Sequence, residues 1–130
     1  MNKIILFFLC TTLFLSCDKP EGEGGTSAIK GKIIIRDYNT NFTLLQSTYP
    51  AQEERVYIIY GDNDFYDNDT RTSYDGTFKF ENLRKGNYKI FAYSDDSTFT
   101  VPGGQYAIIK EIEITEEHQT IEIPTIYLLK

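Results

Sequence analysis

The sequence predicts an all-β protein, a two-sheet sandwich of about seven short strands. Three observations predict it. Apolar and polar residues alternate at period two through most of residues 28–130, and no window there sustains apolar residues at i, i+3, i+4 and i+7. Turn chemistry separates the alternating runs, at Asp75-Gly76, at Arg84-Lys85-Gly86-Asn87 and at Pro102-Gly103-Gly104. The chain has 130 residues, 41% hydrophobic and 25% charged, which suits one globular core rather than two.

The first strand places Ile29, Gly31, Ile33 and Ile35 on one face, against Lys30, Lys32, Ile34 and Arg36. In the second, Val56, Ile58 and Tyr60 alternate with Tyr57 and Ile59. Thr70–Tyr74 and Thr77–Glu81 flank Asp75-Gly76, the strongest short hairpin signal in the chain, so they are expected to pair. Phe78 and Phe80 then point inward together, followed by Leu83 at the end of the sandwich. Tyr88, Ile90 and Ala92 oppose Lys89, Phe91 and Tyr93. Ile108, Lys110, Ile112 and Ile114 share a face opposite Ile109, Glu111 and Glu113. Ile121 and Ile123 alternate until Pro124 interrupts, which marks an edge or a bulge, and Ile126 and Leu128 resume the pattern. The expected core is Ile33, Ile35, Val56, Ile58, Phe78, Phe80, Leu83, Tyr88, Ile90, Ala92, Ile112, Ile121 and Ile123.

The N-terminus reads as an address. Met1-Asn2-Lys3 opens with a positive charge, and Ile4–Leu15 is an almost unbroken apolar run. That run is too short to span a hydrocarbon layer of roughly 30 Å and matches the apolar region of a signal peptide. Leu13-Phe14-Leu15-Ser16-Cys17 resembles a bacterial lipobox, although Phe14 occupies a position where a smaller aliphatic is usual. The resemblance implies cleavage after Ser16 and lipidation of the Cys17 thiol, anchoring the protein in the outer membrane. The alternative is an ordinary signal peptide that leaves Cys17 as a free thiol. Residues 17–27 are polar and Gly-rich and are expected to form a flexible tether, so the domain organisation reads as leader 1–16, tether 17–27 and sandwich 28–130. The acidic, Lys-containing start of that tether resembles the surface-export signal of Bacteroidetes lipoproteins.

Residues Thr72 to Tyr93 carry a longer pattern, T-x-x-D-G-x-F-x-F-x-x-L-x-x-G-x-Y-x-I-x-A, and Gly31-Lys32-Ile33 fits a G-x-V opening. The pattern resembles the carboxypeptidase regulatory-like family over about 28–36 and 55–128. That resemblance implies a transthyretin-like, seven-stranded Greek-key sandwich and is almost silent on function. An enzyme class of related fold, hydroxyisourate hydrolase, uses several His and a C-terminal Tyr-Arg-Gly-Ser. This chain has one His and ends Tyr127-Leu128-Leu129-Lys130, so that activity is not carried over. A Lys–Asn isopeptide of the Cna-B type is also not expected, because 119–128 contains no Asn or Asp.

Composition narrows the function further. The net charge is −6, from 13 basic and 19 acidic residues, which excludes the basic footprint of a nucleic-acid partner. Two Cys and one His leave no Cys/His zinc site. Nucleophilic catalysis needs a nucleophile, a His and an orienting acid, and His118 lies in a polar turn, Glu116-Glu117-His118-Gln119. The expectation is a non-enzymatic protein.

Three features remain as candidate sites. Gly61–Asp69 holds four Asp and two Asn in nine residues. Asp62, Asp64, Asp67 and Asp69 supply the oxygen ligands that calcium favours, although the EF-hand order is not met; the bland reading is a solvated loop of Asx turns. Several of Tyr57, Tyr60, Tyr66, Tyr74, Tyr93 and Tyr106 should face outward, where tyrosine stacks on sugars or anchors an interface. Cross-strand packing on the solvated face is the competing account. Residues 37–54 are long for a sandwich connection and form either a binding loop or a short hairpin. Together these readings point to an envelope lipoprotein that recruits a protein partner. A glycan-binding module using outward Tyr, with or without calcium, is the alternative.

Overall fold

The structure is a computed structural model that describes residues 19–130; the leader 1–16 and the lipidation candidate Cys17 lie outside the described residues. Among the described residues the fold is all-β, with nine strands: β1 (Glu23–Tyr38), β2 (Leu45–Pro50), β3 (Arg55–Tyr60), β4 (Asn68–Arg71), β5 (Thr77–Leu83), β6 (Gly86–Asp95), β7 (Gln105–Ile114), β8 (Thr120–Glu122) and β9 (Ile126–Leu129). Two strands exceed the expected seven. Pro124 splits the last one into β8 and β9, and the 37–54 connection folds into a hairpin in which β2 pairs the end of β1.

One sheet is built around β1. Antiparallel β5 and then β2 line one edge of it, and parallel β8 and then β9 line the other. The second sheet runs β4-β3-β6-β7, all antiparallel. The core between them is aliphatic and aromatic: Ile29, Ile33 and Ile35 from β1, Phe78 and Phe80 from β5, and Ile126 and Leu128 from β9 face Val56, Ile58, Tyr88, Ile90, Ala92, Ile112 and Ile114. Twelve of the thirteen expected core residues are buried; Ile121 is half-buried and packs against the cluster. Ile29, Ile114, Ile126 and Leu128 join the core in the phase their alternation sets, and Ala51, from the β2–β3 connection, completes it.

Two expectations are corrected. The first is the hairpin at Asp75-Gly76. β4 pairs β3 and β5 pairs β1, so this turn carries the chain from one sheet to the other. Thr72 decides it. Its buried hydroxyl donates to the Ala51 carbonyl (2.7 Å) and accepts the Glu54 amide (2.9 Å), clasping the two strand connections that cross between sheets. Asp75 then accepts the Thr77 amide and hydroxyl (3.2 and 2.7 Å), and Gly76 turns at φ 85°. A Cβ on Gly76 would stand 2.5 Å from the Ile33 carbonyl oxygen, so backbone approach also requires glycine there.

The second correction is the tether. Residues 23–27, expected to be flexible, are the start of β1, and Ser27 is buried. A Gly-rich sequence allows flexibility but also allows backbones to touch. A Cβ on Gly25 would lie 2.1 Å from the Leu83 carbonyl oxygen. Ahead of β1, the Gly22 amide donates to the Tyr88 hydroxyl, and the Glu21 carboxylate accepts the Asn87 amide.

Candidate functional site

The outer face of the second sheet carries the densest chemistry. At Tyr57 and Ile59 on β3 and at Phe91 and Tyr93 on β6 the outward phase is apolar where a solvated sheet would be polar, while Asn87, Lys89 and Asp95 keep it polar elsewhere on β6. Tyr57 and Phe91 are directly opposed cross-strand partners, stacked at 4.9 Å with 10° between ring planes. Tyr93, two residues along β6, meets both edge-on at 5.6 Å. Tyr66, from the β3–β4 loop, meets Tyr57 at 4.8 Å. Ile109 on β7 pairs with Phe91 and is 53% exposed. Arg55 lies 5.4 Å from the Tyr57 ring and forms an ion pair with Asp69 at 2.5 Å.

Three of the six outward-Tyr candidates are therefore gathered, Tyr57, Tyr66 and Tyr93. The other three are not. Tyr60 turns inward and packs edge-on against Tyr88 at 5.8 Å. Tyr74 is 81% exposed on the β4–β5 turn, and Tyr106 sits near the start of β7. The gathered rings use much of their surface on one another. A parallel cross-strand pair stands upright from the sheet, so Tyr57 and Phe91 cover each other's faces and leave Phe91 buried. Sequence reasoning missed Phe91 as the hub and Ile109 as its neighbour. The signal was present, since both are apolar residues in the phase assigned to solvent.

The four aspartates of the 61–69 loop do not converge. Asp67 accepts the Tyr60 amide (2.7 Å) and the Asn63 amide group (3.0 Å), so it closes the β3–β4 turn. Asp69 is held by Arg55, and Asp62 and Asp64 are exposed. Among the described residues no group of three or more His, Cys, Asp or Glu side chains is placed to hold a metal ion. Two of the four aspartates, Asp67 and Asp69, already have their oxygens engaged by the Tyr60 amide, Asn63 and Arg55, which compete with a cation for them.

The acidic residue that does organise a loop is Asp96, which sequence reasoning passed over. It is buried, and its carboxylate accepts the Thr98 hydroxyl (2.6 Å) and the amides of Thr98, Thr100 and Val101 (2.9, 2.7 and 2.8 Å). The Thr98 hydroxyl and these amides hold the Asp96 carboxyl far below the usual range. His118 is exposed on the β7–β8 turn at φ 55°, and its amide donates to the Thr26 hydroxyl. A polar open groove of about 900 Å³ lies beside that turn, lined by Lys19–Glu21, Gly24–Ser27, Leu83–Gly86, Glu113–Thr115 and Glu117.

No protein-family profile matches the chain, and no curated protein does. Among solved structures the chain is similar to a candidate carbohydrate-binding protein from Pseudomonas aeruginosa, at 12% identity and a TM-score of 0.48, covering 84% of this chain and 91% of that one.

Proposed function

We propose that this protein is a non-enzymatic interaction module of the bacterial cell envelope, held at the outer membrane through lipidated Cys17. The anchor reading rests on the lipobox-like Leu13–Cys17 segment. The module reading rests on the outer face of the second sheet: Tyr57, Tyr66, Phe91, Tyr93 and Ile109 form one aromatic and aliphatic surface on a rigid scaffold. Surfaces of this kind, with tyrosines at the centre and an arginine at the rim, suit protein partners. The Thr72–Tyr93 pattern supports a carboxypeptidase regulatory-like, Greek-key assignment, in which those residues serve packing. Buried Thr72, Phe78, Phe80, Leu83 and Tyr88 fit that role.

Two experiments test it. Cys17→Ser should move the protein out of the membrane fraction; continued attachment of the processed chain sinks the anchor. A photo-crosslinking residue at Ile109, in intact cells, should capture a reproducible envelope protein.

A second reading, a carbohydrate module, is favoured by Tyr66 and Tyr93, which remain 48% and 41% exposed beside the Arg55–Asp69 pair. It is supported if no protein is captured and a polysaccharide array gives binding that Tyr66→Ala or Tyr93→Ala abolishes.

A further inference from the structure

The end of the sandwich farthest from Gly22 has a different character from the rest of the molecule. β1 runs from Glu23, beside Leu83, to Tyr38, beside Leu45, so the β1–β2 and β6–β7 loops share that far end. Each loop is built on one side chain. Asn39 accepts the Thr43 and Leu44 amides (2.9 and 3.1 Å), and Asp96 accepts those of Thr98, Thr100 and Val101. Each loop holds a phenylalanine in the left-handed region, Phe42 at φ 54° and Phe99 at φ 55°, and the two rings meet edge-on at 5.6 Å. Such backbone is rare for a bulky side chain and persists only where its surroundings enforce it. Neither ring reaches the core. Phe99 is 68% exposed and Leu44 62%, with Leu45 and Val101 exposed beside them.

Charge singles out one occupant for this tip. Residues 39–49 contain no charged side chain, and in 96–109 Asp96 is the only one, turned inward onto its own loop; the flanking charges Asp37, Asp95 and Lys130 sit behind the loops, at the strand ends. Behind the loops on the strands, Tyr38 pairs with Leu45, Tyr49 with Ile35 and Tyr106 with Ser94. Apolar loop ends without charge, backed by tyrosines, fit the interfacial zone of a bilayer, where a buried charge is costly and amphipathic rings sit at headgroup level. We propose that the 39–45 and 97–104 loops form a membrane-contact tip. The proposal rests on membrane residence as inferred above, but not on the chemistry of Cys17. With the N-terminal segment stitched to one end of β1 and the tip at the other, both reach a single bilayer when β1 lies along its plane. The tip would then hold the domain to the bilayer at a second point, away from the N-terminal segment.

The chain contains no tryptophan, so one introduced indole reports its own surroundings. Full chain carrying Phe99→Trp is reconstituted into phosphatidylcholine vesicles with brominated acyl chains, and flotation shows that it is attached. The expected result is a blue-shifted emission, quenched at least twofold, and loss of that quenching when Leu44→Asp is added. Leu44→Trp, at a residue of ordinary backbone, repeats the reading should Phe99→Trp fold poorly. Unquenched emission from both indoles on floated vesicles overturns the proposal. So does capture of a protein, without lipid adducts, by a photo-crosslinker at Leu44 in cells. Failure of the anchor reading shows separately, in the Cys17→Ser fractionation.

Discussion

The hydroxyl of Tyr88 holds the backbone of Gly22: it accepts the buried Gly22 amide at 2.9 Å while donating to the Arg84 carbonyl at 2.7 Å. One side chain on β6 thereby closes the N-terminal segment over the end of the sandwich, sixty-six residues away in sequence. Tyr88→Phe keeps the ring and strands both partners. A destabilisation of about 1–3 kcal/mol is expected, read as a lower urea midpoint with an unchanged slope. Burial also pushes the Tyr88 and Tyr60 hydroxyls above their usual range. The folded state therefore favours the protonated rings. Their contribution is complete below about pH 10 and is lost as pH rises through the folded-state value, so Tyr88→Phe should flatten the alkaline limb of the stability profile.

Gly25→Ala discriminates a tether from a strand. In a flexible linker the added methyl would change nothing measurable. Here it would collide with the Leu83 carbonyl and the Arg84 amide, whose atoms lie within 2.5 Å of the new carbon. Prising β1 from β5 is expected to cost about 1–3 kcal/mol or more, and a melting temperature equal to that of the parent would contradict the register at Ser27 and Leu83.

Asp96 predicts an acid limb. Its carboxyl is depressed chiefly by the Thr98 hydroxyl and then by the Thr98, Val101 and Thr100 amides. Because the folded-state value is lowered, the contribution is present above about pH 4 and is lost as pH falls below it. Asp96→Asn should speed amide hydrogen exchange at Thr98, Thr100 and Val101 at neutral pH and leave the β3–β6 ladder protected. Unchanged exchange in the loop would show that the carboxylate does not organise it.

Calcium provides a direct test of the 61–69 loop. A cation bound only by the folded state raises stability by mass action, about 2.7 kcal/mol at one hundred times its dissociation constant. With Asp67 and Asp69 already engaged, millimolar calcium is expected to leave the melting temperature unchanged. Asp67→Asn should instead lower it, because the Tyr60 amide loses a charged acceptor. A rise of several degrees with calcium would reinstate the four-aspartate site.

The sequence alone determined the all-β class, the facing of most strands and most of the core. Period-two alternation is a property of each strand by itself, so Ile58, Phe80 and Ile90 declared their side without reference to any partner. The same alternation put Phe91 and Ile109 in the outward phase, but that they join Tyr57 in an apolar outer face emerged only from the pairing of the strands. Tertiary structure decided what depends on which backbones meet. Asp75-Gly76 has the chemistry of a hairpin, but Thr72 bonds to Ala51 and Glu54 and sends the chain to the other sheet. Gly24-Gly25 has the composition of a linker, but the approach of Leu83 makes it a strand. Four aspartates have the composition of a cation site, but local amides and Arg55 engage two of them. The meeting of Phe42 with Phe99 joins two loops far apart in the chain, and neither segment alone announces it. Local patterns fix which face a residue takes; the choice of partner depends on long-range contacts that short sequence windows do not contain.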